Sequence, residues 1–211
     1  MRGERLEQAE VTARGIAGDR RYAFLDGDPA RAGKLLTARQ ADGLLRYAAA
    51  GAGASVKVRS PSGRSFSPAD AELAAELAAV AGRPVRVREA PGDNFDESHL
   101  LLVNLATVGA LADEAGFPLD HRRFRANVYL EDMPPDIELG WVGRRLALGR
   151  AEVEVMWPCE RCVVITMDPE SLERRPELLR RLVDTRGGEL GIRCRVVGPG
   201  SVRVGDFCAP L

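Results

Sequence analysis

The sequence predicts a mostly β (α+β) fold with few short helices. Three observations predict it: short alternating apolar runs recur along the chain, Gly, Pro, Asp and Asn separate most of them, and only three segments carry helical periodicity. Strands are expected at 20–26, 44–49, 55–60, 85–89, 123–131, 145–148, 152–157, 162–167, 193–197 and 201–204. In the first helix Ser67 is placed to cap, Pro68 fits the first turn and Asp70 completes a capping-box-like pattern. Leu73, Leu77 and Val80 then form an apolar stripe that Gly82 ends. The second helix covers about 107–115 and stops at Gly116. The third opens at Pro176, carries Leu178, Leu179, Leu182 and Val183 on one face, and ends before Gly187-Gly188.

At 211 residues the chain has room for one large or two small domains and for a core without disulfide staples. The first helix and the loop after Val87 suggest a boundary near residue 90. Residues 1–90 read as a small sheet with one helix, and 91–211 as a barrel or barrel-like sheet packed on it. The Ala/Gly run 48–54 reads as a loop.

Composition narrows the function. Thirty basic side chains face thirty-one acidic ones, so a net charge of -1 gives no general pull toward nucleic acid or an anionic membrane. Only Lys34 and Lys57 are available for a Schiff base, so bound pyridoxal phosphate is not expected of this chain alone. Residues 1–10 are polar and charged, and the longest apolar stretch, 100–112, is short for a bilayer span. The expected location is a reducing cytoplasm, where Cys159, Cys162, Cys194 and Cys208 are free or ligating.

The most informative segment is Trp157-Pro158-Cys159-Glu160-Arg161-Cys162, followed by the apolar run 163–167 and Asp168-Pro169. Pro158 is expected to break one strand and Cys162 to open the next, beside Arg161. A nearby cation favours the thiolate, the form that ligates metal or attacks sulfur. The same spacing also suits half of a zinc site, a dithiol redox pair or two core cysteines.

Within 123–131, alternation places Phe124, Ala126 and Val128 on one face and Arg123, Arg125, Asn127 and Tyr129 on the other. Two guanidinium forks and an amide in a row suit a phosphate, and they also suit a solvated sheet face. The segments 18–26 and 36–40 read as a hairpin with Arg20 and Arg39 near its ends. His99 and His121 are too few for a multi-histidine metal site.

Together these segments resemble the MOSC family, named for the C-terminal domain of molybdenum cofactor sulfurases. The family also includes amidoxime-reducing components and 6-hydroxylaminopurine-resistance proteins. Gly18-Asp19-Arg20-Arg21 with Thr37-Ala38-Arg39-Gln40 looks like its N-terminal barrel domain. Residues 100–111, 124–128, 159–169 and 200–206 look like the MOSC domain proper. The resemblance implies a molybdenum cofactor with Cys162 on the metal. It places Arg20, Arg125 and Asn127 at cofactor contacts, and more weakly Asn104 and Thr107. Family members usually open with a strand ending in Lys-Ser before the segment that here starts at Arg2. The N-terminal domain is therefore expected to lack its first strand.

The implied activity is reduction of N-hydroxylated small molecules. The chain lacks iron–sulfur cysteine spacing, so the implied partner is a separate electron-donor protein. A sulfur carrier, loaded as a persulfide on Cys162 by a cysteine desulfurase, and a non-catalytic cofactor-binding module are the alternatives.

Overall fold

A computed structural model describes residues 1–31, 33–51, 55–90 and 98–211. Among these the chain is mostly sheet, with three short α-helices. The strands are β1 (Gln8–Thr12), β2 (Gly15–Ile16), β3 (Tyr22–Asp26), β4 (Ala48–Ala50), β5 (Lys57–Arg59), β6 (Ser65–Phe66) and β7 (Val85–Glu89). They continue with β8 (Leu100–Asn104), β9 (Val128–Leu130), β10 (Arg145–Leu148), β11 (Ala151–Glu160), β12 (Glu189–Gly198), β13 (Gly200–Arg203) and β14 (Cys208–Pro210). The helices are α1 (Ala71–Ala81), α2 (Leu105–Ala115) and α3 (Pro176–Arg186).

The chain divides into two compact units. One comprises Met1–Arg5, Gly18–Asn94 and Pro169–Leu172; the other comprises Leu6–Ala17, Phe95–Asp168 and Glu173–Leu211. The division differs from a single cut at 90 because β1 pairs antiparallel with β13, Gln8 opposite Arg203 and Val11 opposite Gly200, which ties residues 8–16 to the C-terminal stretch. Residues 91–97, which adjoin the expected boundary, lie outside the described residues.

In the smaller unit β3 pairs with β7, β4–β5–β6 form a meander, and α1 covers a core of Leu36, Leu44, Tyr47, Val58, Phe66, Leu73, Leu77 and Val85. Three local expectations change. Residues 44–49 are not one strand: a 3₁₀ turn, Asp42–Arg46, buries Leu44 and Leu45 side by side, and only Ala48–Ala50 is extended as β4. The 18–40 hairpin is reduced to one antiparallel bridge, Leu25 opposite Leu35, with the Asp26 amide on Lys34 O at 2.9 Å and the Leu36 amide on Phe24 O at 2.7 Å, because the strand partner of β3 is β7. Helix α1 starts at Ala71 after Asp70, whose carboxylate accepts the Ser67 amide at 2.7 Å, and Val80 is 41% exposed, so the buried stripe is Leu73 and Leu77. The 48–54 run opens with β4 rather than a loop, and its residues 52–54 lie outside the described residues.

Asp26 closes this unit electrostatically. Burial pushes its pKa up, but the Asp28 amide and the Arg83 and Arg31 guanidinium groups (3.1 and 2.8 Å) outweigh it and hold the carboxyl below its ordinary range. A depressed folded-state pKa gives stability that is full above the unfolded value and lost as pH falls through the folded one. The protection factors of the β3–β7 amides, observed exchange corrected for the intrinsic rate, are therefore expected to fall below about pH 4. Asp26→Asn should flatten that dependence; an unchanged pH profile in the variant would refute the assignment.

In the larger unit six strands run β14-β10-β11-β12-β8-β9 and curl as a half-barrel, antiparallel except for β8 with β9. One core cluster lies around Leu100, Leu102, Leu146, Leu148, Val153, Val155 and Ile192. A second joins Leu101, Val103, Leu111, Phe124, Cys159, Ile165, Leu178 and Leu190. Helix α3 spans 176–186 as expected, with Leu178 and Leu182 buried, whereas Val183 is 52% exposed. Pro158 does not end β11: the strand continues to Glu160 because bulges between Val155 and Trp157 and between Pro158 and Glu160 absorb the missing donor.

Candidate functional site

Two expected strands are turns in the structure, and the site is made by them. The first turn is 3₁₀, His121–Phe124. Asp120 caps it, accepting the Arg122 amide at 2.8 Å, and Arg125 leaves it in the left-handed region at φ 53°. The alternation expected across 123–131 therefore holds only over β9. Arg123 does not share a polar face with Arg125; it is buried, while Arg125 is exposed. Asn127 bridges back to β8: its Oδ1 accepts the Leu101 amide at 3.0 Å, and its own amide donates to Leu101 O at 2.9 Å.

The second turn is 3₁₀, Val163–Thr166, with Cys162 at its head in an extended conformation. Cys162 O accepts the Ile165 amide at 3.2 Å, and Thr166 Oγ1 donates to Val163 O at 2.8 Å. The expected strand 162–167 is replaced by this turn, and only its end meets another segment: Met167 bridges antiparallel to Arg174, and Thr166 O accepts the Arg175 amide at 2.9 Å as well as Arg123. Arg123 Nη1 donates to Thr166 O at 3.1 Å and Ile165 O at 3.4 Å, and Nη2 to Asp168 Oδ2 at 2.8 Å.

The cation expected beside Cys162 is directed elsewhere. Arg161 Nη1 donates to Cys159 Sγ at 3.0 Å and Nη2 to Phe124 O at 2.5 Å, with the guanidinium 5.5 Å above the Phe124 ring. Cys159 is 1% exposed; Cys162 is half-buried. Burial pushes the Cys194 thiol up to about 12 and that of Cys208 up to about 11, so both stay protonated near neutral pH and are poor ligands. Among the described residues no group of three or more His, Cys, Asp or Glu side chains is placed to hold a metal ion, so the Cys159/Cys162 pair gains no further zinc ligands.

Asn104 and Thr107 belong to a buried network. Asn104 caps α2 through Oδ1 on the Ala106 amide, and its Nδ2 donates to Pro134 O at 2.8 Å and Glu138 Oε2 at 3.0 Å. Thr107 Oγ1 donates to Glu138 Oε1 at 3.0 Å and accepts the Asp136 amide at 2.8 Å. These partners give both side chains structural work. Glu138, fully buried, was not anticipated; its signal is a lone carboxylate inside the apolar run Ile137-Glu138-Leu139. Arg20 lies in the smaller unit, in the turn before β3, at φ 53° and 3.9 Å from Asp19. Arg39 is exposed in a turn closed by Thr37 and Gln40. His121 packs edge-on against Tyr129, and His99 Nδ1 accepts the Val196 amide at 3.4 Å.

The larger unit is a curled half-barrel with a half-buried cysteine at the head of one turn and an exposed arginine at the end of the neighbouring turn, the architecture of a small β-barrel domain. The chain belongs to the MOSC domain family, whose profile matches residues 79–208, more than half of its length. It is 36% identical over 107 residues to the molybdenum cofactor sulfurase of Caenorhabditis elegans and 31% over 112 residues to that of Drosophila grimshawi. Each match takes in 49% of this chain; it spans 15% of the C. elegans protein and 14% of the D. grimshawi protein. The structure of YuaD from Bacillus subtilis superposes with a TM-score of 0.51 at 18% identity, covering 96% of this chain and 84% of that one, which supports the fold. YiiM from Geobacillus stearothermophilus gives a TM-score of 0.43 at 20% identity, over 54% of each chain. No described helix is long and apolar enough to cross a membrane.

Proposed function

We propose that this chain binds a molybdenum cofactor through the Cys162 thiolate and works as a reductase of N-hydroxylated small molecules, supplied with electrons by a separate protein. The observation that carries the reading is geometric: Cys162 is half-buried at the head of a turn of its own, whereas Cys159 and Cys194 are buried and Cys208 lies in strand β14. The residues present fit the group. A thiolate is a soft anionic donor suited to molybdenum. Arg125, exposed on the neighbouring turn, offers a planar fork suited to phosphate. The Nε atoms of Arg123 and Arg161 are buried and have no acceptor among the described residues.

When bound, the cofactor supplies a two-electron metal centre. The chain's own part is to fix one sulfur donor, present a cation for the phosphate and, through Asn127, hold the Arg125 turn to β8. Relatives named as sulfurases favour a second reading, in which Cys162 carries sulfur as a persulfide loaded by a cysteine desulfurase.

Metal analysis tests the first reading. Protein purified from its native host is expected to contain molybdenum, and Cys162→Ala to lose it by about tenfold or more, as loss of a direct ligand should exceed loss of a supporting contact. Cys194→Ala is expected to keep it. Molybdenum retained in Cys162→Ala would overturn the reading. Mass spectrometry after incubation with a desulfurase, showing an added sulfur on Cys162 in a molybdenum-free protein, would favour the second.

A further inference from the structure

We propose that Arg123 is a positioning residue: with Arg161 it forms a reciprocal brace that fixes the Cys162 turn against the Arg125 turn. The proposal rests on the reading of Cys162 as the working sulfur, but its geometry stands independently of any bound group. Each turn sends a guanidinium to the carbonyl end of the other. Arg123, from the 121–124 turn, takes Ile165 O, Thr166 O and the Asp168 carboxylate. Arg161, immediately before the 163–166 turn, takes Phe124 O and is itself fixed by its amide on Gly188 O at 2.9 Å. Carbonyls at the end of a helical turn lack partners within the turn and carry partial negative charge, so a cation there is well matched.

The brace is buried: the Arg123 side chain is 5% exposed, and loss of water opposes its charge while Asp168 supports it. A buried guanidinium adds little net stability compared with an apolar side chain of the same volume. What it adds here is definition. Cys162 O closes its turn on the Ile165 amide, so the two atoms clamped by Arg123, Ile165 O and Thr166 O, set how the Cys162 Cα–Cβ bond is aimed. The Phe124 carbonyl clamped by Arg161 lies next to Arg125, so the same pair of contacts sets the offset between thiol and exposed guanidinium.

The test uses the full chain without cofactor. Alkylation of Cys162 by iodoacetamide is followed by peptide-resolved mass spectrometry at one fixed pH. Arg123→Ala is expected to change the Cys162 rate by about tenfold, because small displacements of a positioned group have large effects on its chemistry. Millimolar guanidinium should restore the rate. Arg123→Lys, which keeps the charge but not the fork, should lie between, and it serves if the alanine variant does not fold. Leu148→Ala, a cavity in the other core cluster, controls for lost stability and should leave Cys162 unchanged. Cys162 rates within about twofold of wild type in the folded Arg123 variants, or an equal change in Leu148→Ala, would overturn the brace. Neither outcome bears on whether Cys162→Ala keeps molybdenum, so the two proposals fail separately.

Discussion

Gly191→Ala is expected to lower the melting temperature of the larger unit by about 10 °C, equivalent to about 3 kcal/mol for a chain of this size. Gly191 sits within β12 at φ 81°, where a side chain is strained. A Cβ there would also meet Leu102 O at 2.6 Å and Val103 Cγ2 at 2.7 Å. The obstruction is the backbone of β8, which cannot move aside without breaking the Ile192–Leu102 pairing next door. Strain and overpacking each cost about 1–3 kcal/mol, and here they act together. Both tryptophans, Trp141 and Trp157, belong to this unit, so their emission follows its unfolding alone. A variant that melts within about 2 °C of wild type would show that β8 and β12 are not as close as described.

Glu138→Ala is expected to cost about 2–5 kcal/mol, because it leaves two buried donors short of an acceptor at about 1–3 kcal/mol each. The carboxylate is fully buried and accepts from Asn104 and Thr107; without it the Asn104 Nδ2 keeps only Pro134 O, and the Thr107 hydroxyl loses its acceptor. Thr107 also accepts the Asp136 amide, and Asp136 binds Arg186 at 2.9 Å, so the damage should extend to the anchoring of α3. Glu138→Gln preserves the volume and one oxygen and should cost less than half as much. Urea denaturation followed by tryptophan emission measures both. Equal midpoints for alanine and wild type would mean that the network contributes nothing net.

The fold was readable where local chemistry and tertiary context agree. Gly82, Gly116 and Gly187 each end a helix in the left-handed region, as their spacing implied, and β7 and β10 fall on the expected residues. The candidate site was readable in composition and not in shape. Val163, Val164, Ile165 and Thr166 are all residues that favour strands, yet they form a helical turn whose carbonyls are met by Thr166 Oγ1, the Met167 and Arg175 amides and the distant Arg123. Arg123 shows the same limit from the other side. Period-two alternation over a few residues looks the same for a strand and for a capped turn followed by a left-handed residue, so sequence alone placed Arg123 beside Arg125. The pairing of Arg161 with Cys159 rather than Cys162 depends on which way one side chain turns, and no spacing encodes it.

The pairing of β1 with β13 has a consequence for biosynthesis. Residues 8–12 leave the ribosome early, but their hydrogen-bonding partners at 200–203 are made nearly two hundred residues later. During that interval the smaller unit can complete its own pairings, β3 with β7 and β4 with β5 and β6, while β1, paired only with the short β2, waits with its β13 edge open. The sheet of β1 is therefore complete only once residues 200–203 have been made, and chains truncated before residue 200 should expose that edge of β1.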